Sequence, residues 1–262
     1  KRSRAMAMTL VDFLYRVRKS PRYLQALLRD LKGEEAPLAP PEDDEDALKT
    51  YWLSYVNFQE KALTTHFKKE TEELDLLWKR HVIETAKKYG YQGIEFRVEW
   101  DHQHGIELNA TDEELQQAKQ LLTDNGIVAS CIATGVQFNS GNRSDHLSQR
   151  DSLQKYIGLA AKMDVPYLRT FSDPVPEEDE VARNEVLNLA AESYASVDDW
   201  AKQHGVQVLV ETHTNMQAHW AKQILDTASA DSLNILWDAG HHLGRGQSVE
   251  EAYPYLCGQV SH

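Results

Sequence analysis

Short apolar runs recur along this chain with their starts near Ile94, Ile127, Tyr167, Val206 and Asn234, a period of roughly 30–40 residues. Helix-patterned stretches lie between them. Several of those stretches end on glycine just before the next run, at Gly90, Gly126 and Gly205; Met163–Pro166 does the same work without one. Runs of four to eight apolar residues without polar alternation read as parallel strands buried on both faces. Repeated strand–helix units imply a parallel sheet joined by right-handed crossovers. A closed (β/α)8 barrel and an open doubly wound sheet both satisfy this pattern. No GxGxxG follows an early strand, so a dinucleotide-binding sheet is unsupported.

Polar residues collect where these runs end. Val206–His213 (VQVLVETH) closes on Glu211 and His213, and Asn234–His242 (NILWDAGHH) closes on Asp238, His241 and His242. His102 and His104 follow the run at Gly93–Trp100, and Arg169 lies in YLRTF. Several strand ends feeding one site is the behaviour of a barrel mouth. Carboxylate oxygens and imidazole nitrogens together make either a divalent-metal site or an acid–base set. Arg169 has the fork geometry that suits a carboxylate or phosphate. Trp237 lies near a strand end, with its ring available to stack on a substrate, and His104 lies in a loop that can reach one. His242 reads as a supporting residue.

The rest of the chain sets boundaries. Residues 1–33 read as a basic helical extension, with Ser20-Pro21 as a helix start and Gly33 as a stop. Residues 34–48, centred on EEAPLAPPEDDED, read as an acidic, proline-broken linker. Residues 49–262 form the expected barrel-like domain. Within it, Tyr51–Phe58 (YWLSYVNF) is consistent with a first strand, with a helix start as the alternative, and is followed by one long helix from about Leu63 to Tyr89. Thr111-Asp-Glu-Glu114 is a capping box. Val181–His204 reads as one helix, and Gln259–His262 as the start of a further strand.

Composition narrows the function. A formal charge of −13 opposes nucleic-acid binding over most of the surface. Two distant cysteines, Cys131 and Cys257, form neither a disulfide framework nor a CxxC zinc motif, and they suit a reducing cytoplasm. No apolar run approaches the ~18 residues of a membrane span. A small-molecule partner is expected, carbohydrate-like on the resemblance described next, and a homo-oligomer stays open.

The strings GYQGIEFRVEW (90–100), YLRTFSD (167–173), VLVETHTN (208–215) and NILWDAGHHLGRG (234–246) resemble the xylose-isomerase-like, or AP endonuclease 2, superfamily of barrels. The style is that of its sugar phosphate isomerase/epimerase group. The resemblance covers roughly residues 50–262. It implies a divalent metal (Mn²⁺, Mg²⁺, Co²⁺ or Zn²⁺) at the mouth, with Glu211 and Asp238 as the first two ligands. It further implies a substrate-facing or proton-transfer role for His213, a substrate, proton-transfer or second-metal role for His241, and a proton-removing role for Glu211. Counting Tyr51–Phe58 as strand one, the chain stops as strand seven begins. His262 then falls about where the third ligand is expected, and the chain reads as a piece of a longer protein. The leading function is isomerisation or epimerisation of a sugar or sugar phosphate. A dehydroshikimate-dehydratase-like lyase is the enzymatic alternative, and a non-catalytic binding or assembly subunit is the other. An AP endonuclease is disfavoured, because CIATGV and YLRTF bring no histidines for a three-metal site.

Overall fold

The computed structural model describes residues 21–31, 45–99 and 106–262. The basic segment before Pro21, most of the acidic linker, and the loop holding His102 and His104 lie outside the described residues. The chain divides into two compact units, residues 1–85 and 86–262.

The first unit is helical as described: α1 (Pro21–Leu31), α2 (Glu45–Phe67) and α3 (Thr71–Lys88), the last running across the division. Proline opens α1, where its missing N–H costs nothing. Leu27, Ala62, Phe67 and Leu74 form a small core with Leu63, Leu77 and Trp78 against it. Two expectations fail here. Tyr51–Phe58 is not a strand but the middle of α2. No glycine or proline interrupts residues 45–67, and Ala47, Tyr51, Phe58 and Ala62 recur at helical spacing. The aromatic and β-branched content of YWLSYVNF is overridden by its helical surroundings. The long helix is also two helices, broken where Lys68 adopts φ 55°.

The second unit carries a parallel sheet. Among the described residues its strands are β1 (Gly93–Arg97), β2 (Val128–Gln137), β3 (Tyr167–Phe171), β4 (Gln207–Glu211) and β5 (Leu233–Leu236), hydrogen-bonded in chain order. The expected next strand begins beside β5: Ile235 bridges Val260 in parallel, and Trp237 N–H donates to His262 O at 3.1 Å. Sequence-neighbouring strands paired in parallel around a growing sheet are the start of a barrel. Helices fill the crossovers: α4 (Asp112–Asn125), α5 (Arg143–Lys162), α6 (Glu180–Ala195), α7 (Asp198–His204), α8 (Ala218–Ala228), a short α9 (Ala239–Gly244) and α10 (Val249–Leu256). The stretch read as one helix over 181–204 is thus α6 and α7, and α9 was not anticipated.

Local chemistry sets the boundaries. Thr111 and Glu114 satisfy each other's amides at the start of α4. Gly90, Gly126 and Gly205 take φ of 80°, 66° and 65° in the turns that lead into β1, β2 and β4. At the fourth such turn Asp164 adopts φ 55° in place of glycine. Alternate strand residues then face opposite ways. Ile132, Leu168, Val208, Val210 and Ile235 pack with Ile157, Leu187, Ala190, Trp220, Ile224 and Leu256 of the helices. The intervening residues, Glu95, Cys131, Arg169 and Glu211, take the other face. No described helix is long and apolar enough to cross a membrane.

Candidate metal and acid–base site

Register brings three polar strand ends level. Thr170 pairs with Val210, and Glu211 with Leu236. Carried three residues onward from Thr170 and Val210 and two from Glu211 and Leu236, the same offsets place Asp173, His213 and Asp238 side by side, with Glu211 two residues deeper. Glu211, Asp238 and His241 each offer a ligand atom, and these atoms all lie within 4.8 Å of one another. Asp238 holds two positions at once. Its Oδ1 accepts from the Gly240 and His241 amides (2.9 and 3.3 Å), capping α9, while Oδ2 lies 3.8 Å from His241 Nε2. Its own N–H donates to the buried hydroxyl of Thr212 at 2.9 Å. The Asp–Ala–Gly–His spacing works because one carboxylate starts the turn that carries the histidine.

Glu211 is fixed from below. Arg169 Nε lies 3.1 Å from Glu211 Oε2, and both side chains are largely buried. Arg169 also donates to Thr134 O at 2.5 Å, and its guanidinium stacks 4.0 Å from the Phe171 ring. Burial pushes the Glu211 carboxyl above its ordinary value. Arg169 and His213 pull it back, while Asp238 and Glu95 push it further up. Cys131, on the same face, is driven up to about 12 by burial and by Glu95, so it offers no thiolate at neutral pH.

His213 stands beside the cluster. Its Nδ1 lies 2.9 Å from Asp173 Oδ2 and 2.7 Å from Thr214 Oγ1. Its ring centroid is 4.6 Å from that of His241, edge to face, and 4.6 Å from that of Phe171. His242 is a supporting residue: Trp237 Nε1–H donates to its Nδ1 at 3.1 Å, and its Nε2–H donates to Met216 O at 3.0 Å. Burial lowers its pKa. The Trp237 indole N–H is thereby committed to His242. His262 is not drawn into the cluster; its Nε2 lies 3.7 Å from Glu95 Oε2. His104 lies outside the described residues.

Asp173 was not singled out from the sequence. The signal that would have found it is the strand-end level it shares with His213 once β3 and β4 are aligned. Asn215 was also missed. It accepts from Val175 N–H (3.0 Å) and donates to Val175 O and Glu177 Oε1 (2.8 Å each), tying the loop after β3 to the loop after β4.

Residues 83–260 match the xylose isomerase-like TIM barrel family, and the chain belongs to that family. No curated protein matches it in sequence. Among solved structures it is similar to a D-psicose 3-epimerase determined in the presence of D-fructose, with TM-score 0.59, 17% identity and coverage of 70% of this chain and 65% of that one. It is also similar to a probable 3-DHS dehydratase from Bacillus anthracis, with TM-score 0.56, 18% identity and coverage of 69% and 65%. A third is a xylose isomerase-like TIM barrel protein from Mycobacterium smegmatis in complex with magnesium, with TM-score 0.55, 15% identity and coverage of 71% and 65%. The chain thus spans about 65% of the length of these relatives. At such identities the likeness establishes the fold, while the chemistry has to come from the site.

Proposed function

We propose that Glu211, Asp238 and His241 hold a divalent metal ion, and that the protein is an isomerase or epimerase of a sugar or sugar-phosphate-like substrate. The observation that carries this reading is the convergence of two carboxylates and an imidazole, from two adjacent strand ends, within 4.8 Å. Two oxygen donors and one nitrogen donor suit Mg²⁺, Mn²⁺, Co²⁺ or Zn²⁺. The donor set fits a cation for a second reason. Burial and the Asp238 charge both disfavour ionised Glu211, and a bound cation would offset both. His262, beside Glu95 on the same face, is a further nitrogen within this reading.

When bound, the ion would polarise a substrate carbonyl and its neighbouring hydroxyl. Glu211, held in one orientation by Arg169, takes the proton from the carbon beside that carbonyl. A proton returned to the other face of this carbon gives the epimer. Returned to the neighbouring carbon, it gives the aldose–ketose isomer. His213 serves the substrate hydroxyl protons. In this scheme Arg169 acts on substrate through Glu211, and Trp237 packs beside the mouth. The test is incubation of keto-sugars and sugar phosphates with the Mn²⁺-loaded protein in D2O. Deuterium entering carbon-bound positions supports the reading. A preparation that binds Mn²⁺ yet exchanges no carbon-bound hydrogen in any of them contradicts it.

The Asp173–His213 pair favours one second reading, a dehydroshikimate-dehydratase-like lyase in which His213 removes the proton and water leaves. Growth of a conjugated, ultraviolet-absorbing product without deuterium return to substrate separates it from epimerisation.

A further inference from the structure

We infer that Asp173 is the positioning residue that fixes the hydrogen on His213 Nδ1, so that Nε2 faces the mouth as a bare lone pair. The inference rests on the reading above only for what Nε2 would act on.

Asp173 lies two residues beyond the end of β3 and is 1% exposed. Its main-chain carbonyl is clamped by the Gln137 and Asn139 side-chain amides, the latter at 3.0 Å. Among the described residues its carboxylate has one hydrogen-bond contact, Oδ2 to His213 Nδ1 at 2.9 Å, and Oδ1 is buried without a partner. A buried carboxylate accepts only, so a bare Nδ1 lone pair at this distance would be repelled and would leave the carboxylate with no donor at all. Nδ1 therefore carries the hydrogen. Thr214 Oγ1, 2.7 Å from the same nitrogen, can accept or donate and so cannot choose the tautomer by itself. The Phe171 and His241 rings confine the imidazole from two sides. Nε2 makes no hydrogen bond among the described residues, and the side chain is 35% exposed. Neutral histidine in water favours the opposite tautomer, with hydrogen on Nε2, so the carboxylate reverses the intrinsic preference. The consequence is a change of role: His213 meets substrate as a proton acceptor instead of an N–H donor.

The test is long-range ¹H–¹⁵N correlation of the histidine side chains in the whole chain, at a pH where the ¹⁵N shifts themselves report a neutral ring, with His213 assigned by comparison with His213→Gln. Wild type is expected to show the Nδ1–H tautomer. Asp173→Ala is expected to move to Nε2–H, with Thr214 now donating to Nδ1, while Thr214→Val keeps Nδ1–H. An Nε2–H tautomer in wild type overturns the inference, as does Nδ1–H persisting in Asp173→Ala or disappearing in Thr214→Val. Should Asp173→Ala fail to fold, wild type and Thr214→Val still decide the matter. Mn²⁺ titration of the same samples separates the two proposals. The Nδ1–H tautomer without metal binding removes the metal reading and leaves this one. Metal binding with the Nε2–H tautomer does the reverse.

Discussion

Arg169 Nε lies 3.1 Å from Glu211 Oε2 in a pair that is almost wholly buried, one strand apart on the face opposite the helices. Burial opposes both charges: it lowers the Arg169 pKa and raises that of Glu211, each against the attraction of the other. Such a pair adds little over an apolar replacement of both members, yet losing one member strands the other. Its effect here is orientation. Glu211 reaches the cluster with Asp238 and His241 because one of its oxygens is held by Arg169.

Arg169→Leu should therefore be costly. Removing the guanidinium leaves the Glu211 carboxylate buried beside Glu95 and Asp238, and unfolding in urea should show a loss of about 3 kcal/mol. The same variant should bind Mn²⁺ more weakly, because a carboxyl pushed further up must first release its proton. The double variant Arg169→Leu/Glu211→Leu should recover most of the stability and none of the metal binding.

Asn215→Ala tests the tie between the two loops. It removes an acceptor from the buried Val175 N–H and two donated hydrogen bonds. A loss of about 2 kcal/mol is expected, since an orphaned buried amide alone costs about 1–3 kcal/mol. Hydrogen exchange should quicken first at Val175, while Leu168 in the middle of β3 keeps its protection.

Asp198 supplies a pH signature away from the site. Burial raises its carboxyl, but hydrogen bonds from Lys202 and from the Ser232 hydroxyl and amide outweigh burial and hold it below 3.8. The folded pKa is the lower one, so the stabilisation is fully present above 3.8 and fades as pH falls through the folded value. Urea midpoints measured from pH 6 downward should fall more steeply for wild type than for Asp198→Asn, and the two curves should converge at the acid end.

The second unit was legible in the sequence because its signals are local and mutually consistent. Apolar runs, glycine stops and the Thr111 capping box place the starts of β1 to β5 within one residue of the observed ones. The pairing of Glu211 with Asp238 was legible because both acids sit where apolar runs end. The fate of Tyr51–Phe58 was not, because short aromatic runs satisfy strand and helix patterns alike and only the uninterrupted flanks decide. Removing that strand makes β4 and β5 the fourth and fifth described strands rather than fifth and sixth. Asp173 escaped because its partner is forty residues away and only strand register reveals it. Arg169 was identified as a site residue, but its target was not readable: a buried guanidinium facing Glu211 and an exposed one facing substrate look the same in YLRTF.

The central claim is that Glu211, Asp238 and His241 form one metal site, and Mn²⁺ titration followed by electron paramagnetic resonance tests it most directly. The account predicts one ion bound per chain in wild type. Asp238→Asn should weaken binding at least about tenfold, as expected for a change at or next to a ligand. Its unfolding free energy should shift by no more than about 0.5 kcal/mol, because asparagine caps a helix as well as aspartate does. Wild-type protein that binds no Mn²⁺, or an Asp238→Asn variant that binds it as tightly as wild type, would contradict the account.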